Sequence, residues 1–281
     1  MRNHESNSDI INRATDSSSL STRISSNDQA QDLDFIGWIF DNINISEGDK
    51  ILELCCGTGA QTLEFLQQVG EEGKVVAVDV SAESLNKLEA KVDADTKTRL
   101  TTIEADMMEI GSALAAAGLD ETRFDTIFCA YGLYYADEPI SVLEMMSESL
   151  AVGGSLVVVG PFGPNNGPWF SLLSKAGVRL PEPVRHSSSK FMTNKIIPWG
   201  AKNYEKLSIE TAVNQVIRTS ADELFEYWQN TTYFDQECAD SVQDTLENHF
   251  ATNHRFVNFK WIMHLTMRSQ RKVDAVSDWE I

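Results

Sequence analysis

The sequence has little positive charge for its size. It carries 23 Lys and Arg residues against 42 Asp and Glu residues, so its formal net charge is −19. Proteins that bind nucleic acid hold the phosphates with clustered Lys and Arg side chains, and this acidic chain contains no dense basic run. Anionic lipid surfaces call for similar basic clusters. We therefore expect neither nucleic acid nor a membrane among its partners.

Long apolar segments and paired cysteines are also missing. No apolar run approaches the roughly 18–20 residues of a membrane span, and the opening MRNHESNSDI contains no apolar signal core. The four cysteines, Cys55, Cys56, Cys129 and Cys238, do not form a secretory disulfide framework. No Cys or His follows Cys55-Cys56 at the spacing of a metal site. These absences favour a cytoplasmic protein with reduced thiols and no bound metal.

Predicted strands and helices alternate through the first part of the chain. Apolar runs at 51–54, 74–79, 100–106, 124–130 and 155–160 are separated by segments with helical spacing. A run as rich in Val as 74–79 is typical of a strand that is buried on both faces. This alternation predicts an α/β fold with a mostly parallel, doubly wound sheet and helices on both of its faces.

The chain is predicted to form an arm followed by one domain. Residues 1–30 are rich in Ser, Asn and Asp, which predicts a flexible N-terminal arm. Within the domain, 31–281, the alternating strands and helices occupy 31–160. The segment 161–204 holds most of the prolines, and we interpret it as an irregular lid on the substrate side. Residues 205–281 are expected to complete the sheet, with the last strand at an antiparallel edge.

A glycine-rich turn, ELCCGTG at 53–59, lies between the first predicted strand and the next helix. Glycine permits positive φ and lets a ligand approach the backbone closely, and the N–H groups at the helix start face that ligand. Asp79 stands twenty residues after Gly59, at the end of the second strand, where an acid accepts hydrogen bonds from ribose hydroxyls. Together these features predict a nucleoside ligand. A plain tight turn and a helix N-cap are the structural alternatives.

The turn resembles the first motif of the class I S-adenosylmethionine-dependent methyltransferases, an acid followed by three spaced glycines. Glu53 matches the acid, Gly57 and Gly59 match the second and third glycines, and Cys55 stands in place of the first. The resemblance covers residues 49–160. It includes the ends of the third and fourth strands and the segment LAVGGSL, which is similar to the family's L-x-P-G-G-x-L with Val in place of Pro.

This resemblance implies a Rossmann-like sheet of seven strands with an antiparallel last strand, and S-adenosylmethionine as the cofactor. In the family, the acid after the second strand binds the ribose, and the acid after the third typically bonds the adenine amine. The cofactor-binding residues that the resemblance implies here are Glu53, Cys55, Gly57, Thr58, Gly59, Asp79, Val80, Asp106, Met107, Ala130 and Tyr131.

The acceptor site is less clearly marked. Tyr134 and Tyr135 follow the fourth strand, at the sheet edge where substrates enter in this family, so they are candidates for lining the substrate pocket. A hydroxyl acceptor would often need a base with a pKa near neutrality, which histidine provides. His186 lies in the predicted lid and is our candidate for that base, the alternative being an exposed loop histidine.

We therefore expect an S-adenosylmethionine-dependent methyltransferase that acts on a small-molecule, glycan or lipid-precursor acceptor by in-line displacement. A non-catalytic module that binds the cofactor or its product is the first alternative. An NAD-dependent oxidoreductase is a weaker one, because Thr62 occupies the third glycine position of the dinucleotide motif. The site of methylation (O, N or C), the acceptor and the oligomeric state stay open.

Overall fold

A computed structural model gives the fold. It describes residues 30–271 and, before them, Arg13, Thr15, Asp16, Ser18, Ser19 and Thr22. One sheet of seven strands has the order β3-β2-β1-β4-β5-β7-β6. The strands are β1 Lys50–Leu54, β2 Lys74–Asp79, β3 Leu100–Glu104, β4 Phe124–Ala130, β5 Leu150–Pro161, β6 Tyr204–Arg218 and β7 Phe256–Gln270. The predicted α/β class and the seven-stranded, mostly parallel sheet are confirmed.

The last strand is antiparallel, as predicted, but it does not lie at the edge. Strands β1 to β5 run parallel to one another, while β7 is antiparallel to both β5 and β6. The edge strand on this side of the sheet is therefore β6, and β3 is the edge strand on the other side. The edge prediction rested on the polar residues interleaved in β7, and it is wrong because His264 and Thr266 are themselves buried.

Helices cover both faces of the sheet. The α-helices are α1 Phe35–Asp41, α2 Ala60–Gln68, α3 Ala82–Glu89, α4 Ala94–Lys97, α5 Ile110–Ala116, α6 Pro139–Glu148, α7 Gly167–Lys175, α8 Glu182–Ser189, α9 Ile197–Asn203, α10 Ala221–Gln229 and α11 Ala239–Thr252. Successive strand residues face opposite sides. Accordingly Ile51 packs with the core under α1 and α2, whereas Leu52 and Leu54 pack with the core under α5 and α6.

A further apolar core lies beyond the sheet and joins α7, α8, α10 and α11, which we call the helical cap. Its largest buried side chains are Trp169 and Trp228, packed with Leu173 and Leu246. Two helices of the cap, α10 and α11, belong to the segment 205–281. The sequence analysis expected the helices of this segment to complete the sheet, whereas they pack in the cap. Within the described residues, no helix has the length and apolar character needed to cross a bilayer.

The predicted lid, 161–204, is helical rather than irregular. Pro168, Pro183 and Pro198 lie in the first turns of α7, α8 and α9. At a helix start the missing N–H group sacrifices no intrahelical hydrogen bond. Pro168 and Pro183 therefore lie at helix starts, whereas Pro198 directly follows a π-helical turn, Met192–Ile196, that continues into α9.

Most of the predicted arm, 1–30, lies outside the described residues. Where the structure describes it, the arm contacts the domain. The Arg13 guanidinium donates a hydrogen bond to the Phe234 carbonyl oxygen at 2.7 Å. Further on, the Ile217 N–H donates to the Ala30 carbonyl oxygen at 2.8 Å, and Gln31 pairs with Val216. Residues 30–32 therefore follow the outer edge of β6 and lead into α1.

Candidate functional site

A cavity of about 520 Å³ lies at the carboxyl ends of the parallel strands, under the helical cap. Leu54, Asp79, Ala130 and Pro161 line it, and they are the last residues of β1, β2, β4 and β5. Ligands of doubly wound sheets bind at this end, where loops and helix N-termini converge. This cavity includes most of the predicted site.

The glycine-rich turn forms the wall of the cavity between β1 and α2. Cys55, Gly57 and Gly59 all have positive φ, at 59°, 54° and 83°. Gly59 is the N-cap residue of α2, and a Cβ atom added there would collide with the side chain of Leu88. Since Cys55 adopts a conformation that L-residues disfavour, its replacement of the family's glycine costs about 1–2 kcal/mol. The turn therefore needs glycine for its backbone conformation and for packing.

Asp79 fastens this turn to the end of β2. Its Oδ2 accepts a hydrogen bond from the Gly57 N–H at 2.8 Å, and its Oδ1 accepts one from the Ser81 N–H at 2.9 Å. Burial raises the pKa of Asp79, and these backbone hydrogen bonds act against that rise. A carboxylate can accept about four hydrogen bonds. Asp79 lines the cavity and thus keeps acceptor capacity for further hydrogen bonds.

Glu53 lies beneath the turn and does not line the cavity. Only 2% of it is exposed, and its Oε2 accepts a hydrogen bond from the Thr62 hydroxyl at 2.6 Å. Burial raises the pKa of Glu53 to about 8. The side chain therefore links β1 to α2 from below. Gly59 also does not line the cavity, so both residues act on the shape of the turn.

Glu53→Gln is expected to remove a pH dependence of stability. The unfolded chain releases the Glu53 proton near pH 4.5 and the folded protein near pH 8, so the wild type loses stability as pH rises through that interval, by at most ~1.4 kcal/mol per unit. Glutamine keeps the acceptor for Thr62 and carries no proton to lose. In urea unfolding, the variant should match the wild type at pH 5 and exceed it at pH 8.

The exposed Glu71 provides the control for this measurement. A Glu71→Gln variant should follow the wild type at both pH values, because its carboxyl group is solvated in the folded and unfolded states alike. If Glu53→Gln changes stability equally at pH 5 and pH 8, the raised pKa is not the cause.

The remaining predicted cofactor residues come from the ends of β2, β3 and β4. Asp106 accepts a hydrogen bond from the Met108 N–H at 2.8 Å and so caps a short 3-10 helix, Met107–Glu109. Tyr131 has a φ of 55°, and its ring meets Phe35 edge-on at 5.7 Å. Nine of the eleven predicted residues line the cavity: Cys55, Gly57, Thr58, Asp79, Val80, Asp106, Met107, Ala130 and Tyr131.

The cysteines near the turn are free thiols. Contact with Cys129, together with burial, raises the pKa of the Cys55 thiol well above its usual range. The Cys55 sulfur is therefore neutral. Among the described side chains, no group of three or more His, Cys, Asp or Glu residues is arranged to hold a metal ion.

His186 does not line the cavity, so its position does not support the predicted role as a base. It lies on α8, which presents Val184, Ser187 and Ser188 to the cavity instead. The His186 ring packs edge-on against Phe191 at 6.5 Å, and its Nε2 has no hydrogen-bond partner within the described part of the chain. The prediction assumed an irregular loop, whereas helical geometry turns this residue away from its cavity-facing neighbours.

Tyr134 and Tyr135 do line the cavity, with ring centroids 4.7 Å apart. The sequence interpretation missed the other side chains at this end. Five of the six tyrosines line the cavity: Tyr131, Tyr134, Tyr135, Tyr227 and Tyr233.

The sequence interpretation missed two more residues, Asn214 and Lys260. They come from the part of the antiparallel pair β6 and β7 that extends past the end of β5. A buried Asn inside a strand pattern is a signal that could have drawn attention to β6, because buried polar groups require partners.

Part of the chain is similar to known methyltransferases. Residues 51–154 match the family model described as "Methyltransferase domain". A demethylmenaquinone methyltransferase of Lactococcus lactis is 30% identical over 112 residues, which are 40% of this chain and 42% of that protein. The chain thus spans less than half the length of the curated relatives it matches.

Solved structures share the fold at low sequence identity. The YcgJ protein of Bacillus subtilis aligns with a TM-score of 0.56 at 11% identity, over 84% of this chain and 98% of that one. Phosphoethanolamine N-methyltransferase 2 of Haemonchus contortus, in complex with S-adenosylhomocysteine, aligns with a TM-score of 0.50 at 14% identity, over 84% and 52%. These similarities concern the fold.

Proposed function

Since residues 51–154 belong to the class I S-adenosylmethionine-dependent methyltransferase family, we propose that the protein transfers the methyl group of S-adenosylmethionine to a small-molecule acceptor. The observation that carries the proposal is the cavity itself. It begins at the glycine-rich turn held by Asp79 and continues past that turn into a region lined by tyrosines. A cofactor bound at the turn would leave the tyrosine-lined region for an acceptor.

The charges around the turn suit a cationic cofactor. Asp79, Asp106 and Asp137 line the cavity, and the one basic side chain among the described lining residues is Lys260, on β7. S-adenosylmethionine supplies a methyl group on a sulfonium cation, which tolerates carboxylates and aromatic faces. We assign Asp79 to the ribose, Asp106 to the adenine amine, and the turn from Cys55 to Gly59 to close backbone contact.

The protein's contribution to transfer is orientation and exclusion of water. No histidine is among the described residues that line the cavity. Aligning an acceptor lone pair with the methyl–sulfur bond can itself supply roughly 7–11 kcal/mol. The helical cap and the tyrosines would hold the acceptor in place and keep the cavity dry.

The free state of all four cysteines supports a reducing, cytoplasmic setting.

An NAD-dependent reaction fits the site poorly. The third glycine of the dinucleotide motif allows close packing of helix and strand. In this protein Thr62 stands there, is fully buried, and uses its hydroxyl to bond Glu53. Beneath the turn, helix and strand are therefore joined by a side-chain hydrogen bond, and the close glycine packing of the dinucleotide motif is missing at this position.

Thermal unfolding with excess S-adenosylmethionine, S-adenosylhomocysteine or NAD tests the proposal. A ligand at about 100 times its dissociation constant adds about 2.7 kcal/mol to folding stability, which is a shift of roughly 5–10 °C for a domain of this size. Both sulfur compounds should produce that shift and NAD should not. A shift with NAD alone would overturn the proposal. Cofactor binding without S-adenosylhomocysteine production, across an acceptor panel, would identify a non-catalytic binding module instead.

A further inference from the structure

The outer edge of β6 is covered along only part of its length. Residues 30–32 run along one end of it, where the Ile217 N–H donates to the Ala30 carbonyl oxygen at 2.8 Å and the Asp32 N–H donates to the Gln215 carbonyl oxygen at 3.2 Å. Between 205 and 213, no described residue forms a backbone hydrogen bond to the outer side of the strand. We call the segment 205–213 the open edge.

The backbone groups of the open edge that point outward can be identified from the covered end. Gln215 and Ile217 direct their N–H or C=O groups outward, toward residues 30–32. The register with β7 then continues without a shift along the whole of β6. Backbone direction alternates along an antiparallel strand, so the odd-numbered residues from 207 to 213 also point their N–H and C=O groups outward. Another strand can pair with them without breaking any existing hydrogen bond.

The open edge lacks most of the features that keep an edge strand from pairing. Such strands are usually short, bulged or interrupted by proline. In contrast, β6 is 15 residues long, contains no proline and keeps an unbroken register with β7. Two apolar side chains on one face of it, Ile209 and Val213, are 42% and 46% exposed. An edge of this length and composition is a template for a further strand.

The charges of the open edge are complementary to themselves. When two copies of a strand pair antiparallel about a two-fold axis, every contact occurs twice. A pair centred on Ser208 places Lys206 opposite Glu210 of the second copy, and Leu207 opposite Ile209 of the second copy. The outward groups of residues 207 and 209 then face each other. Pairs centred on Lys206 or on Glu210 would instead place like charges opposite each other, which is unfavourable.

Both charged side chains are available for these contacts. Lys206 and Glu210 are exposed, and neither forms a salt bridge with a described residue. Glu210 has one long contact within its own strand, since the Ser208 hydroxyl donates to its Oε1 at 3.5 Å. Directly opposite residues have Cβ atoms about 4.5–5.5 Å apart, and opposite charges at that separation stabilise the pair of strands.

We propose that β6 pairs antiparallel with β6 of a second copy of this chain, about a two-fold axis at Ser208. The two seven-stranded sheets then join into one continuous sheet. Three strands, β4, β5 and β7, separate β6 from β1 and the glycine-rich turn. The interface therefore leaves the proposed cofactor site uncovered and does not depend on the proposed methyl transfer.

Sedimentation velocity of the full chain without ligand tests the proposal. Salt at about 0.15 M shortens the Debye length to about 8 Å, which screens the repulsion between two chains of net charge −19. Small interfaces bind weakly, so we expect a dissociation constant on the order of 10 µM. The protein should be monomeric well below that concentration and dimeric well above it. A monomer at every concentration would mean that Lys206 keeps the edge solvated, and it would overturn the proposal.

Exchanging the two charges tests the register. Glu210→Lys places two lysines opposite each other at both ends of the pair and should weaken the dimer by about tenfold or more. The double variant Lys206→Glu, Glu210→Lys restores opposite charges and should return to the wild-type dissociation constant. Glu205→Lys changes the net charge as much as Glu210→Lys does, but its residue lies opposite Thr211 of the second copy. This control should dimerise at least as well as the wild type. Equal weakening by both single variants, or no rescue in the double variant, contradicts the register.

A cysteine on the two-fold axis gives a second, covalent measurement. Ser208→Cys places two thiols directly opposite each other, within reach of a disulfide. Oxidised glutathione should convert this variant to a covalent dimer at high protein concentration. Lys206→Cys is the matched control, because its two thiols lie four residues apart along the strands, about 13 Å, and it should remain uncrosslinked like the wild type. Equal crosslinking of the two variants, or none in Ser208→Cys, would exclude an axis at Ser208.

These measurements separate the dimer from the proposed function. None of them contains S-adenosylhomocysteine, so a protein that stays monomeric and still binds that ligand would leave the methyl transfer standing. A protein that dimerises through β6 without binding S-adenosylhomocysteine would retain the interface and lose the proposed function.

Discussion

Asp79→Ala is expected to weaken S-adenosylhomocysteine binding by at least about 100-fold, which corresponds to ~2.7 kcal/mol. Two losses combine. The Gly57 N–H and the Ser81 N–H each lose a carboxylate acceptor, and hydrogen bonds to charged groups contribute about 1.5–3 kcal/mol. The ribose would lose its acceptor as well. Calorimetric titration measures the affinity, and the change in thermal midpoint without ligand reports the structural part separately.

Two further variants separate those contributions. Asp79→Asn keeps one oxygen acceptor and should give an intermediate affinity. Asp93→Ala removes an aspartate that also accepts a backbone N–H, from Thr96, but does not line the cavity. That control should lose some stability and keep its affinity for the ligand. Wild-type affinity in Asp79→Ala would refute the assignment of Asp79 to the cofactor.

The cofactor end of the site was predictable because its signals are local. The glycine-rich turn and Asp79 each follow directly from a strand, and parallel strands bring their carboxyl ends together. Nine of the implied residues line the cavity for this reason. Glu53 is the instructive exception. It lies on β1 with its side chain directed toward α2, and the family pattern marks such a residue without showing which side of the turn it faces.

The end of the cavity beside β6 and β7 was not predictable, because it depends on pairing between distant segments. Asn214 and Lys260 meet through the register of β6 and β7, and Gln31 reaches Asn214 from the segment before α1. A one-residue change of register would move each strand side chain to the opposite face. No local pattern in the sequence fixes that register. His186 was misjudged for a related reason, since its direction depends on α8 being a helix.

The fold shows the same division between local and distant effects. Apolar runs located the parallel strands, but the position of β7 inside the sheet follows from its pairing with β5 and β6. The helical cap also combines segments on both sides of β6. Each of its helices is amphipathic, and an amphipathic pattern shows that a face is buried without showing against what.

Gly59→Ala is expected to damage the cofactor site far more than Gly48→Ala, although the two backbones are alike. Their φ angles are 83° and 86°, so alanine imposes a similar conformational cost of about 1–2 kcal/mol at each position. The space around them differs. A Cβ at Gly48 meets nothing within 4 Å, whereas a Cβ at Gly59 collides with Leu88. Leu88 is fully buried and packs with Cys56 and Leu85, so it cannot readily move aside.

The glycine-rich turn must therefore shift in Gly59→Ala, and the Gly57 N–H moves relative to Asp79 as a result. We expect both variants to lower the thermal midpoint, and Gly59→Ala alone to weaken S-adenosylhomocysteine binding, by about tenfold or more (~1.4 kcal/mol). Titration of the two purified variants makes the comparison. If the two affinities fall equally, backbone strain accounts for the effect and the contact with Leu88 does not shape the site. If neither falls, the turn does not contact the cofactor, and the proposed placement of the cofactor along 55–59 is wrong.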